Sequence, residues 1–263
     1  MRYPIDLLSV GLVLTVFSAQ IAALVLDWPW YTLIPIVIGL RYVSLVEHNH
    51  SHIGIFRWDF LNEVFGWLCF TSNGIPLEFY REHHVRNHHQ YSQRFDSQAT
   101  DWSSTFGFEG TRFPDVPVNK LYYVLTFPIL TIATSVISLL RAPGSPALKR
   151  FAVSFVVVSM AAGYLFWLNP VGFLLFFVLS WIIVTLGHGF NNYDHHAGCT
   201  MEDDYNSANE SRSLFDRKLG FNIGYHIEHH MKPGLHWSQL PVYHEEIRPQ
   251  IGEERFQNGF ING

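Results

Sequence analysis

The stretch FAVSFVVVSMAAGYLFWLNPVGFLLFFVLSWIIVTLG, residues 151–187, contains no Asp, Glu, Lys or Arg. A helix crosses a bilayer in about 20 apolar residues, so this run is too long for one pass. Asn169-Pro170 in its middle is a turn signal. The reading is a helical hairpin with spans at about 151–168 and 171–187. The N-terminal part repeats the pattern: Leu7–Leu26 carries no charge, 28–46 carries only Arg41 near its end, and DWPW at 27–30 makes the turn between them. The run at 7–26 is long for a signal-peptide core, has only Arg2 as a basic residue before it, and lacks a small-residue cleavage pattern after it. It reads as a retained span.

Composition agrees. The 263 residues are 48% hydrophobic and only 15% charged, against roughly 25% charged residues in an ordinary soluble domain. A formal net charge of -5, with 17 Lys and Arg, gives no strongly basic surface for nucleic acid. Cys69 and Cys199 have neither the number nor the spacing of a disulfide framework, a redox pair or a zinc ribbon.

Two further segments are ambiguous: 60–79, which carries Glu63 and Glu78, and 121–140, which is charge-free but contains Pro128. If both crossed, the histidines at 48–52 and 83–89 would face opposite compartments and no single site could use them. If both are interfacial or re-entrant, every histidine cluster emerges on the side of the N-terminus. The Lys and Arg residues fall on or near that side, including the basic loop RAPGSPALKR at 141–150, and the turns at 27–30 and 169–170 have none. The positive-inside rule makes that side cytoplasmic. The expectation is an all-α integral membrane protein forming one domain over 1–263. It has four transmembrane helices in two hairpins, interfacial helices and a cytoplasmic histidine-rich cap.

The 15 histidines concentrate in four clusters. In EHNHSH, His48 and His52 lie four apart and share a helical face, while His50 points away. In REHHVRNHH, His84 and His88 repeat that spacing, His89 is turned about 100° round an α-helix, and the doublet leaves His83 eligible beside His84. In GHGFNNYDHHAG the candidates are His188, His195 and His196. In FNIGYHIEHHMKPGLHW, His226, His229 and His230 stand at i, i+3 and i+4, and MKPG ends their helix. Such spacing converges ligands from rigid elements, and imidazole suits iron, zinc, copper and nickel. Taking two, three, one and three from the clusters gives about nine nitrogens, too many for one tetrahedral or octahedral ion, so two metals are implied. Carboxylate-bridged di-iron bundles use paired E-x-x-H motifs. Here that motif occurs once, at Glu47–His50.

These motifs resemble the histidine boxes of the membrane fatty-acid desaturase superfamily, which also holds alkane hydroxylases and carotenoid ketolases. HNHSH is similar to the first box, EHHVRNHH to the second and GYHIEHHMKPGLHWSQLP to the third. NNYDHHAG resembles the segment that supplies one further ligand after an acidic residue, which maps to His195 after Asp194. The resemblance implies two Fe ions, O2 as co-substrate and oxidation of an unactivated C–H bond in a long-chain lipid. It implies as ligands His48, His52, His84, His88, His89, His195, His226, His229 and His230. Ligating histidines usually give their second N–H to a carboxylate, carbonyl or water. Glu47, Glu82, Asp194 and Glu228 are placed for this, and Asn191, Asn192 or Asn222 for holding a water near iron.

An apolar channel is expected between helices and cap, with Trp67, Phe70, Trp181 and Trp237 as candidate lining. No dinucleotide fingerprint, ferredoxin-type cysteine set or fused haem domain is evident. Electrons are therefore expected from a separate donor such as ferredoxin, rubredoxin or cytochrome b5. Fatty acyl desaturation is favoured by the third box. A hydroxylase or ketolase acting on an alkyl or carotenoid substrate shares the same hydrogen abstraction. A histidine-rich metal transporter would place ligands along a path at mid-membrane, whereas these cluster beyond the spans.

Overall fold

Helices carry nearly all the regular structure, because a chain this apolar must satisfy its backbone internally once water is gone. A computed structural model describes residues 1–93, 100–106, 118–199 and 203–259. Its main helices are α1 (Asp6–Val25), α2 (Leu33–His52), α3 (Asp59–Asn73), α4 (77–91), α5 (Lys120–Arg141), α6 (Pro146–Leu168), α7 (170–196), α8 (His226–Met231) and α9 (Leu240–Ile247). Two-residue strands β1 (Glu210–Ser211) and β2 (Phe256–Gln257) pair in parallel.

The chain divides into two compact units, 1–80 with 135–187 and 81–134 with 188–263. In the first, both sequence-read turns appear where the punctuation puts them. Asn169 joins them: its Oδ1 caps α7 by accepting from Gly172 N–H at 2.9 Å, and its amide donates to Leu24 O at 2.9 Å and Asp27 Oδ1 at 2.7 Å. The two hairpin turns of this unit therefore lie at one end. Buried Gln20 on α1 donates to Ser72 O and Phe176 O, each at 3.0 Å, and accepts from Ser72 Oγ at 2.6 Å. Such bonds hold apolar helices together where lipid offers no hydrophobic driving force. Outward positions such as Leu7, Leu8, Ile34, Val156 and Met160 are exposed, as lipid-facing side chains must be.

Among the described residues five helices are long and apolar enough to cross a membrane, one more than the sequence reading counts. The addition is α5, which runs unbroken through Pro128 for 22 residues. The segment at 60–79 does not form such a helix. α3 is 15 residues, or about 22 Å at 1.5 Å per residue, short of a hydrocarbon core of about 30 Å. It stops at Gly74, whose φ of 81° is left-handed and whose N–H bonds Phe70 O at 2.8 Å, a glycine helix ending. A β-carbon there would stand 2.4 Å from Cγ of Trp181, and the Trp181 indole donates to Thr71 O and Ser72 O. Trp181 is thus a packing residue over the end of α3. Gly74→Ala is expected to cost about 2–4 kcal/mol, from left-handed strain plus overpacking, read as a lowered thermal midpoint of the purified protein.

In the second unit, Ile227 is fully buried in a small core with Ala208, Ile247 and Ile251. That core and the β1–β2 pair position the fourth histidine cluster, His226, His229 and His230.

Candidate metal centre

The second cluster is presented by a helix wound more loosely than an α-helix. Tyr80–His88 in α4 is a π-helix, with bonds from i to i+5 and about 80° per residue. His88 and His89 then fall on either side of His84, instead of His89 turning away as α spacing predicts. Accordingly the two neighbours go to different groups.

His88 faces His196 and His230, with Nε2–Nε2 separations of 3.0 and 3.3 Å. His226 Nε2 lies 3.3 Å from His196 Nε2, and the His195 and His226 rings are 4.0 Å apart between centroids. His89 instead faces His84 and His229, both at 3.1 Å, with His84 and His229 3.5 Å apart. All these histidines belong to the second unit. In the first unit, His48 and His52 share the last turn of α2 with ring centroids 5.2 Å apart.

Two nitrogens each about 2.1 Å from one ion, at bond angles of about 90–109°, stand about 3.0–3.4 Å apart. The separations of 3.0, 3.1 and 3.3 Å fall in that range and the 3.5 Å between His84 and His229 is close to it. The tautomers sharpen the fit. His88 Nδ1 faces the Asp101 carboxylate at 2.9 Å, and His196 Nδ1 faces the Ser207 carbonyl at 3.1 Å. Both partners only accept, so both Nδ1 atoms carry hydrogen. In the neutral imidazoles the two Nε2 atoms then present lone pairs to each other at 3.0 Å, an arrangement a cation between them satisfies. Burial, and then the neighbouring imidazoles, hold His226 and His230 well below the ordinary histidine range, leaving them neutral and able to ligate.

Asp101 is the carboxylate that sequence reading missed. It lies 13 residues beyond His88 in a loop, and no helical period connects the two. Its oxygens also accept from Gln93 N–H, Ser103 N–H and Ser103 Oγ. Burial alone would raise its pKa, but His88 and these donors hold it well below the usual carboxylate range. Of the acids and amides singled out from sequence, Glu47 accepts from Asn73 at 2.6 Å, Glu82 pairs with Arg86, Asp194 with Lys120 at 2.6 Å, and Glu228 with His244 at 2.6 Å. Asn192 donates to the Tyr123 hydroxyl and Asn222 to Trp237 O.

Three histidines outside the proposed ligand set have evident packing roles. His50 bonds Asn62 O and Ile55 N–H, and His236 bonds Ser238. His83 points to Thr131 Oγ1 at 3.3 Å and is lowered by burial to about 4. Of the doublet, it is His84 that joins a nitrogen triangle. His84→Ala is expected to weaken metal retention at least about tenfold while His83→Ala leaves it unchanged, measured as metal per chain after dialysis.

Residues 26–257 match the sequence profile described as fatty acid desaturase. A sphingolipid delta(4)-desaturase of Xenopus tropicalis is 26% identical over 232 residues, covering 82% of this chain and 66% of its own length. An sn-1 acyl-lipid omega-3 desaturase (ferredoxin) of Synechocystis sp. is 25% identical over 284 residues, 94% of this chain and 74% of its own. Dihydrorhizobitoxine desaturase of Bradyrhizobium elkanii is 25% identical over 245 residues, 83% and 68% respectively. The chain thus spans about two thirds to three quarters of these relatives. No solved structure matches it. A profile match extending from the first hairpin turn to β2 reaches far beyond shared histidine spacing, and the chain belongs to the fatty acid desaturase family.

Proposed function

We propose that this protein is a membrane-bound di-iron desaturase acting on a long-chain lipid, most simply a fatty acyl chain. The observation that carries the reading is the pair of imidazoles, His88 and His196, whose lone pairs meet at 3.0 Å because Asp101 and Ser207 hold their other nitrogens. Family membership and the desaturase names of its relatives support the reaction class.

The proposed ligands are His88, His196, His226 and His230, with His195 beside them, for one ion. His84, His89 and His229 serve the other, and His48 and His52 stay in the proposed ligand set on the resemblance of HNHSH to the first box. His196 is the addition to the set inferred from sequence. An all-imidazole pair of irons supplies, with O2, the oxidising power to remove hydrogen from an unactivated methylene. The balanced change is –CH2–CH2– plus O2, two electrons and two protons giving –CH=CH– and two water molecules. The electrons come from a separate carrier, for which ferredoxin, rubredoxin and cytochrome b5 are the chemical candidates, docking on the cytoplasmic side.

The residues of the chain contribute position and dryness. His88, His196 and His226 are buried, which keeps bulk water from the nitrogens. The Asp101 carboxylate takes the Nδ1–H of His88, fixing its tautomer and increasing its basicity as a ligand.

The test is expression with an electron donor and its reductase in a lipid-producing host, followed by mass spectrometry of the lipids and iron analysis of the purified protein. Loss of two hydrogens from an acyl chain, with about two irons per chain, supports the proposal. A gain of oxygen assigns hydroxylation or ketolation instead. Unchanged lipids together with failure to retain iron would sink the di-iron reading.

A further inference from the structure

α8 is only six residues long, well under the roughly 12–15 residues at which an isolated helix becomes even marginally stable. Yet it carries three histidines that must be aimed in two directions. His226 and His230 turn toward the group containing His88 and His196, and His229 turns toward His84 and His89. An imidazole tip lies roughly 7 Å from a helix axis, given a Cα radius of about 2.3 Å. A rotation of about 20° therefore displaces it by about 2.4 Å, more than a metal–nitrogen bond of about 2.1 Å. Something outside the helix must hold its rotation.

We infer that a buried set of Glu210, Arg217, Glu228 and His244 fixes the rotation of α8 and so aims ligands at both ion positions together. Glu228 is fully buried, and its Oε1 meets His244 Nδ1 of α9 at 2.6 Å. Glu210 of β1, equally buried, accepts from the Ile227 N–H at 2.8 Å, holding the first turn of α8 from a second direction. Arg217 stands 3.9 Å from Glu210 Oε2, and its guanidinium lies 4.5 Å from the centre of the Tyr225 ring, which precedes α8. The Tyr225 ring is in turn 4.9 Å from that of His244. Two bonds from two separate elements, plus Ile227 in the core, leave α8 no free rotation.

The same carboxylates and His244 offer ligand atoms within 4.8 Å of one another, the arrangement of a third cation site. The Arg217 guanidinium already supplies positive charge beside them. The set is therefore assigned to positioning, and a third ion is an outcome that would contradict it.

The inference rests on the di-iron reading, and the experiment separates the two. The full-length protein is purified in lipid nanodiscs and titrated anaerobically with Fe(II), and with Co(II) for its ligand-field spectrum, giving an affinity at each position. Glu228→Ala is expected to weaken both positions in parallel, by about 10–100-fold, whereas His84→Ala or His196→Ala weakens one first. Glu228→Gln keeps an oxygen for the His244 N–H and is expected to stay within about threefold of wild type by the same scale. If Glu228→Ala does not fold, His244→Ala removes the far end of the tether and carries the same expectation. Wild-type protein that binds no metal overturns the di-iron reading. Wild type with two ions and a tether variant with both affinities unchanged, or only one reduced, overturns this inference alone, as does a third ion lost with Glu228.

Discussion

Replacing His196 with alanine is expected to remove about one of the two irons per chain and to lower lipid product by at least about a hundredfold, beyond the effect of losing an outer partner. The argument is one of tautomers. His196 gives its Nδ1–H to the Ser207 carbonyl, so in the neutral ring Nε2 is a lone-pair donor, and it points at His88 Nε2 3.0 Å away. Alanine removes the imidazole that both His88 and His226 face, at 3.0 and 3.3 Å, and leaves the ion position with an incomplete ligand set. Membrane insertion and the helical circular dichroism signal should be unchanged, because the backbone bonds of α7 do not involve the imidazole. The checks are iron per chain and mass spectrometry of the lipids. Retention of both irons with normal product would return the ligand role in this doublet to His195 alone.

Asp101→Ala is expected to lower metal affinity and activity together by about 10–100-fold, the usual cost of removing the partner of a ligating histidine. It leaves the His88 Nδ1–H without an acceptor and frees the ring to adopt the other tautomer, which turns an N–H toward the ion position. Asp101→Asn should be nearly as damaging. One carboxylate oxygen accepts from His88 and Gln93 N–H and the other from Ser103 N–H and Ser103 Oγ. An amide nitrogen placed on either side meets a backbone donor. Equilibrium metal titration of the two variants checks this, and affinities equal to wild type would show that His88 is oriented by its helix alone.

Much of the architecture is legible because apolar length and turn punctuation act locally. Asn169-Pro170 and DWPW mark hairpin turns whatever surrounds them, since proline and its neighbour cannot continue a helix. α5 was harder to read. Pro128 and the basic residues after it argue against a crossing, yet 120–141 forms one unbroken helix long and apolar enough for one, because a single proline is tolerated where neighbours re-satisfy the freed carbonyl. The site shows the same division. His226, His229 and His230 are evident from i, i+3 and i+4 spacing, whereas the divergence of His88 and His89 depends on π winding in α4, which no α-periodic reading contains.

By itself the sequence determined a helical membrane protein, the two hairpin turns and which stretches hold the histidines, because burial of apolar length and helical period are properties of neighbouring residues. Only the tertiary structure decided that His196 rather than His195 faces His88, that His84 rather than His83 joins His89, and that Asp101 rather than Asp194 meets a clustered imidazole. Those choices depend on lone-pair directions, helix winding and loop paths between residues 5 to 108 positions apart, and no α-periodic pattern encodes them.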